Sequence, residues 1–334
     1  MRYAISTVLT LLLLASCQSD RLLLNNVSSL SLEADHNETL NVGNDFSYSV
    51  YAELETGETR KVKNDALIRF PDGKLKDSGK HKAQISTPLN DFETDSYPFT
   101  IGLQIGEYEV ATTDTIALNF KGEIAAFWKG ENGSNGTQPR ASAATLFGRD
   151  GLDGRPGGNG QDGADGGHFT GYLWEYQKEL RLLLVCDSTG VRYCYRTIQR
   201  DSVIIDLRGG NAGNGSTGGT GGDGKNAKTN KDPGNGGDGG PGGNGGKGGD
   251  GGSLLLFIHP NAAYMSQSIH LMNSGGQRGQ PGVGGEPGKA GKALNGVTTA
   301  SSGKEGVSGK PGEDGEDGPP LTISKVAFDF AMFQ

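Results

Sequence analysis

The chain has 334 residues, 58 of them glycine, with 33% apolar and 21% charged side chains and a formal charge of −8. Glycine far above its usual share of about 7% excludes the composition of an ordinary globular enzyme, and the modest charge excludes a charged disordered tail. The negative balance, with no basic patch interleaved with aromatics, argues against nucleic acid as a partner.

The first element in the chain is an address. Arg2 precedes an apolar run, Tyr3 to Leu14, which ends in Leu14-Ala15-Ser16-Cys17. The run is too short to span a bilayer, and its order of charge, apolar core and small residues is that of a secretory signal. Leu-Ala-Ser-Cys resembles the bacterial lipobox. That resemblance implies removal of residues 1–16, lipidation of Cys17, a tether over 17–24, and a membrane partner through the acyl anchor. Gln18-Ser19-Asp20 puts no Asp directly after the cysteine, where some Gram-negative bacteria read an inner-membrane retention signal. It is similar to the Ser-plus-acidic export signal of surface lipoproteins. The expected location is therefore the outer membrane, with the cell surface and the periplasmic face both open.

Residues 25–121 read as a β domain. Phe46, Tyr48, Val50, Ala52 and Leu54 alternate with polar neighbours at the period of a half-buried strand. Thr56-Gly57 and Asp72-Gly73 supply turns, and further strands are expected at Ser29–Glu33, Thr59–Val62, Leu67–Phe70, Phe99–Ile105 and Thr115–Phe120. Short strands at this spacing predict a sandwich. The segment from Ser31 to Val62 resembles the bacterial Ig-like domains that follow lipobox sequences, which implies a spacer role.

Residues 122–334 repeat three times. Each unit has an apolar strand segment, a glycine-every-third arm, a loop of about ten residues, a second arm, and strand again. The arms run 130–136 and 148–167, 209–224 and 234–252, 275–291 and 303–318. They are joined by TQPRASAATLF, KNAKTNKDP and KALNGVTTASS. In 234–252 two of every three residues are glycine, and the strict phase marks a packing unit, since a flexible linker needs none. The period is that of polyproline II-type backbone, at three residues and ~9 Å per turn. The phased runs are too short and too glycine-rich for collagen. They are similar to the polyglycine II bundles of certain phage tail adhesins and antifreeze proteins. In that arrangement the Gly-Gly-X arms, bare on two edges, belong in the middle, and Gly-X-X arms such as 148–167 fit the margin. A disordered low-complexity tract is the competing reading. Strands are expected at Leu180–Val185, Val203–Leu207, Leu254–Ile258 and Val326–Phe330. The resulting fold class is all-β: an Ig-like sandwich, then a β layer packed on a bundle of polyglycine II-type extended helices.

Signals for chemistry are few. Tyr172, Trp174 and Tyr176 share a strand face by period two, and either stack on sugar rings or pack as sheet core. Cys186 and Cys194 flank the turn signal Asp187-Ser188-Thr189-Gly190. Export makes a disulfide between them one outcome, provided a bulge or longer loop aligns them, and two free thiols the other. Stretches such as Gly245–Asp250 approach a calcium-binding nonapeptide but carry Gly252 at its apolar place. Acidic side chains on a solvated edge are the plainer reading, so no cofactor is expected beyond a weak calcium candidate. The five histidines are scattered without ligand spacing, and no nucleophile–base arrangement or carboxylate pair suggests an enzyme. The expectation is a non-enzymatic envelope lipoprotein with a structural, adhesive or scaffolding role. Its partner would be an envelope protein complex or a surface polysaccharide or protein, met by the three loops if the units stack in parallel. The alternative is a glycan-binding lipoprotein of a nutrient-uptake system, with the aromatic stripe as platform.

Overall fold

A computed structural model describes residues 26–35, 38–63, 67–105, 108–140, 149–229, 231–294 and 300–333. Cys17 and the expected signal and tether lie outside them. The described residues form strands, extended arms and two 3-10 segments, Pro260–Gln267 and Phe330–Phe333, so the fold is all-β.

The N-terminal part holds β1 (Val27–Ala34), β2 (Asp45–Leu54), β3 (Thr59–Lys61), β4 (Ile68–Arg69), β5 (Leu75–Asp77), β6 (Lys82–Ile85), β7 (Ser96–Ile105) and β8 (Tyr108–Ala117). One sheet has the order β1-β2-β6-β5 with β3 also on β2; the other has the order β4-β7-β8. The alternation in β2 works as the period requires: Phe46, Tyr48, Val50, Ala52 and Leu54 are all buried. They meet Phe99, Ile101 and Leu103 from β7 in one core. β8 starts well before the expected Thr115, because Tyr108–Asp114 already pairs with β7 without a sustained run of apolar residues at period two. β5 and β6 are too short and lysine-rich to be read in advance.

The repeated part holds β9 (Ile124–Phe127), β10 (His168–Tyr176), β11 (Glu179–Cys186), β12 (Arg192–Thr197), β13 (Val203–Asp206), β14 (Ser253–Ile258), β15 (Ile269–Met272) and β16 (Thr322–Lys325). β9, β13 and β15 form a parallel sheet, each leading into the first arm of a unit. β10, β14 and β16, each receiving a second arm, run parallel in the other sheet, to which β11 and β12 add antiparallel. The ladders do not stop where the strands do. Trp128 N–H donates to Asp206 O at 2.7 Å, Gly130 to Arg208 O at 2.8 Å and Gly133 to Asn211 O at 2.8 Å. Likewise Leu207 donates to Met272 O at 2.6 Å and Gly209 to Ser274 O at 2.9 Å. Strand and arm are thus consecutive parts of one layer. The expected stacking of a β layer on an arm layer gives way to two layers, each sheet at one end and arms at the other.

Within each layer the arms run parallel, and between layers they run antiparallel. The fourth arm shows the pattern: Gly243 N–H donates across to Ser216 O at 2.9 Å, Gly242 N–H sideways to Val307 O at 2.8 Å, and Gly243 O accepts from Gly282 at 2.8 Å. The third and fourth arms each touch four others, which is why they need glycine at two positions of three. The first and sixth touch two and tolerate Gly-X-X. Ordering so much glycine is entropically costly, and backbone bonds repeated at every third residue offset it.

A second set of bonds runs along the outer faces. Asp153 Oδ1 accepts from Asp238 N–H at 2.8 Å, and Asp238 Oδ1 in turn from Lys304 N–H at 2.7 Å. The rows Asn159, Asn244, Lys310 and Asp165, Asp250, Glu316 repeat this in the same layer, and Asn214 with Gln280 in the other. The third residue of each triplet would otherwise leave its N–H without a protein acceptor, and a short Asx side chain from the preceding arm supplies one. Pro241 has no N–H, and the residue aligned with it is Pro156, which has no side-chain acceptor. On the last arms the row carries Lys, Gln, Glu, Val and Ser in place of the short Asp and Asn side chains that serve the earlier arms.

Ile124, Val203, Ile205 and Leu207 of one sheet share a core with Phe169, Leu173, Leu254 and Leu256 of the other. The N-terminal part packs on β10–β12. Cys194 N–H donates to Leu89 O at 3.0 Å, Phe92 meets Trp174 edge-on at 5.0 Å, and Arg196 pairs with Asp95. Val326–Phe330 is not a strand: Pro319-Pro320 delays pairing until β16, and the residues after it leave the sheet.

Candidate functional site

Because the first arms run one way and the second arms run back, the second and third loops lie at the end opposite the strands. The second and third loops are tied together there. Ala227 N–H donates to Lys292 O at 2.8 Å, and Lys292 N–H to Asn226 Oδ1 at 2.9 Å. Lys228 and Lys231 exchange backbone bonds at 3.1 and 2.8 Å, closing a tight turn. The first loop departs from the expected symmetry. Its first arm pairs with the second only as far as Thr137, whose carbonyl accepts from Gly158 at 3.1 Å. It therefore leaves the layer midway along the second arm, which continues to Arg149, level with Lys225 (3.2 Å). Residues 141–148 and 295–299 of the loops lie outside the described ones.

The aromatic stripe is covered at its centre, with Tyr172 and Tyr176 half-buried on either side. Tyr172, Trp174 and Tyr176 do share a face of β10, but Trp174 is wholly buried. Phe330 stacks over it at 6.3 Å, and Phe328 and Phe333 close on it and on Tyr172. The Arg181 guanidinium lies 4.5 Å over the Tyr176 ring. These apolar residues from the C-terminal segment belong to the core that covers the stripe, so it offers no open platform for a sugar ring.

Cys186 and Cys194 are free thiols, which corrects the disulfide alternative. Cys194 pairs with Leu183 across the β11–β12 hairpin, while Cys186 donates its N–H to Val191 O at 2.9 Å. Positions 183 and 186 fall on opposite faces of a strand, so the two sulfurs are directed apart. Cys186 sits 3.3 Å from Ser188 Oγ, and hydrogen bonds from Ser188 and Thr189 bring its thiol down to about 7. Burial pushes Cys194 up to about 12.

The Asp250 carboxylate considered for calcium holds backbone instead, accepting from Glu316 N–H. Among the described residues, no group of three His, Cys, Asp or Glu is placed to hold a metal ion, and no helix is long and apolar enough to cross a membrane.

A cavity of about 390 Å³ lies where the N-terminal part meets β9, lined among others by Gly43, Lys76, Ala125, Phe127, Lys129 and Tyr195. Sequence reasoning missed it because residues far apart in the chain build it. Sequence reasoning also missed the Asx rows, although Asp and Asn recurring at one triplet position in four arms, then vanishing in the last two, was a legible signal. No family model, curated protein or solved structure matches the chain.

Proposed function

We propose that this chain is a non-enzymatic envelope lipoprotein, lipidated at Cys17 and anchored to the outer membrane. An Ig-like domain supports a polyglycine II-type bundle, and the far end of that bundle meets a macromolecular partner. The observation that carries this reading is the common direction of the three units, which brings loops from separate repeats to one end of a hydrogen-bonded frame. Loops held on a rigid scaffold are where recognition usually resides. A bundle so regular has a plain mechanical role as well: with ~3.1 Å per residue, the fourth arm holds its loops roughly 55–60 Å from the strands.

The test is to exchange residues 225–233 and 292–302 for Gly-Ser loops of equal length. Thermal unfolding should be retained while co-purification with envelope partners, or attachment of cells to surfaces, is lost. Unchanged binding after the exchange would sink the reading. Mass spectrometry of the mature N-terminus should find an acylated Cys17, and cleavage elsewhere with an unmodified terminus would remove the anchor from the proposal.

A further inference from the structure

The loop end differs in charge from the rest of the molecule. Arg149, Lys225, Lys228, Lys231, Lys289 and Lys292 come from two different arms and two loops. Lys225 N–H bonds to Arg149 O at 3.2 Å, Gly224 N–H to Lys289 O at 2.9 Å, and Ala227 N–H to Lys292 O at 2.8 Å. All are exposed except Lys225, which is half-buried. Within 225–233 and 289–302 the sole carboxylate is Asp232. The nearest acids on the arms, Asp150 and Asp223, turn an oxygen onto the backbone N–H groups of Asn235 and Lys289. A chain of net charge −8 thus gathers a cluster of cations at one end.

We propose that this tip binds a polyanionic polysaccharide, one bearing repeated carboxylate or sulfate groups. The inference rests on the reading above that the loop end is the recognition surface, and it names the chemistry recognised there. Lysine predominates, and its compact ammonium on a flexible stem engages anions as a point charge without demanding fixed geometry. That suits a repetitive polymer, which offers many equivalent charges. Lys289 and Lys292 are one arm period apart, ~9 Å, and Lys225 and Lys228 have the same separation in sequence. Asn226, Thr229, Ser301 and Ser302 add uncharged donors and acceptors for sugar hydroxyls. Because the acidic rows begin just behind the tip, attraction is short-ranged, within the ~8 Å reach of charges at physiological salt. A polysaccharide is favoured over an anionic membrane because the N-terminal part, which follows the anchor, packs at the opposite end of the arms.

The experiment uses the full chain and polygalacturonate, with neutral dextran and phosphatidylglycerol vesicles alongside. The expected result is binding to polygalacturonate that falls steeply between about 50 and about 200 mM salt, and none to dextran. The variant Lys225→Gln/Lys228→Gln/Lys231→Gln/Lys292→Gln should lose about tenfold or more in affinity with a shallower salt dependence and unchanged thermal unfolding. The same charge change in the N-terminal part, Lys61→Gln/Lys63→Gln/Lys76→Gln/Lys80→Gln, should leave affinity intact. Equal binding by both variants, or binding to dextran, overturns the proposal. Vesicle capture without polygalacturonate binding replaces it with a headgroup surface. If the tip variant keeps the envelope partners that the Gly-Ser exchange loses, charge recognition fails while the tip still stands as the binding surface. If the exchange also changes nothing, both fail.

Discussion

A Cβ added to Gly243 would stand 2.6 Å from the carbonyl carbon of Gly158, and closer still to its oxygen. The two glycines belong to different units and different arms, 85 positions apart, and their backbones meet with no room for a methyl group. Lys247, one turn further along the same arm, is half exposed and reaches only Asp250, at 3.2 Å.

Gly243→Val should therefore destabilise the chain by more than about 3 kcal/mol, the scale of a severe steric or backbone defect. Lys247→Ala should leave thermal unfolding nearly unchanged, since it removes an exposed ion pair and leaves its own N–H on Asp162. Thermal unfolding of the two variants decides the matter, and equal, small effects would mean that the arms do not pack as described.

The outward Asx rows make a finer prediction. Asp238 accepts from Lys304 N–H at 2.7 Å, a task that needs an oxygen and no charge. Asp238→Asn should keep the Lys304 amide protected from hydrogen exchange. Asp238→Ala should raise its exchange rate by about fivefold, corresponding to a bond worth ~1 kcal/mol. If the Asn variant exchanges as fast as the Ala variant, the carboxylate matters through its charge and the acceptor account is wrong.

The two thiols should behave unlike each other. Cys186, brought down to about 7, is half thiolate at neutral pH, whereas Cys194, pushed up to about 12 by burial, stays protonated. A disulfide-exchange reagent should modify one thiol quickly, with a rate rising through pH 7, and the second only on unfolding. Cys186→Ser should abolish the fast phase. Failure to titrate any thiol in the unfolded, unreduced chain would restore the bridge.

Asp206 ends β13 where the third arm begins, and its carboxylate takes Arg208 Nε at 2.9 Å and Nη2 at 2.7 Å. Burial alone would raise its pKa, but the Arg208 hydrogen bonds and charge, with Lys129, outweigh burial and hold it below the ordinary value. Its contribution is therefore present above the unfolded carboxylate pKa of about 3.9 and is lost as pH falls through the lower folded value. Asp206→Asn should cost about 1–3 kcal/mol at pH 7. The gap to the parent should narrow below about pH 4, and a gap constant to pH 2 would contradict the assignment.

Much of this architecture was legible in the residues. Glycine at two places in three marks a segment bare on two edges, and the third and fourth arms, where that holds, are the ones that touch four other arms. The period-two pattern from Phe46 to Leu54 likewise named its own buried face, because in both cases the backbone geometry is local. What local pattern could not supply was register. Whether Trp174 meets solvent or Phe330, and whether Cys186 faces Cys194 or lies on the opposite face of the hairpin, depends on how distant segments align. The gathering of Arg149, Lys225 and Lys292 at one tip depends on it too. That alignment comes from hydrogen bonds between residues tens of positions apart, such as Gly243 on Ser216 and Lys304 on Asp238, and only the folded chain holds them in place.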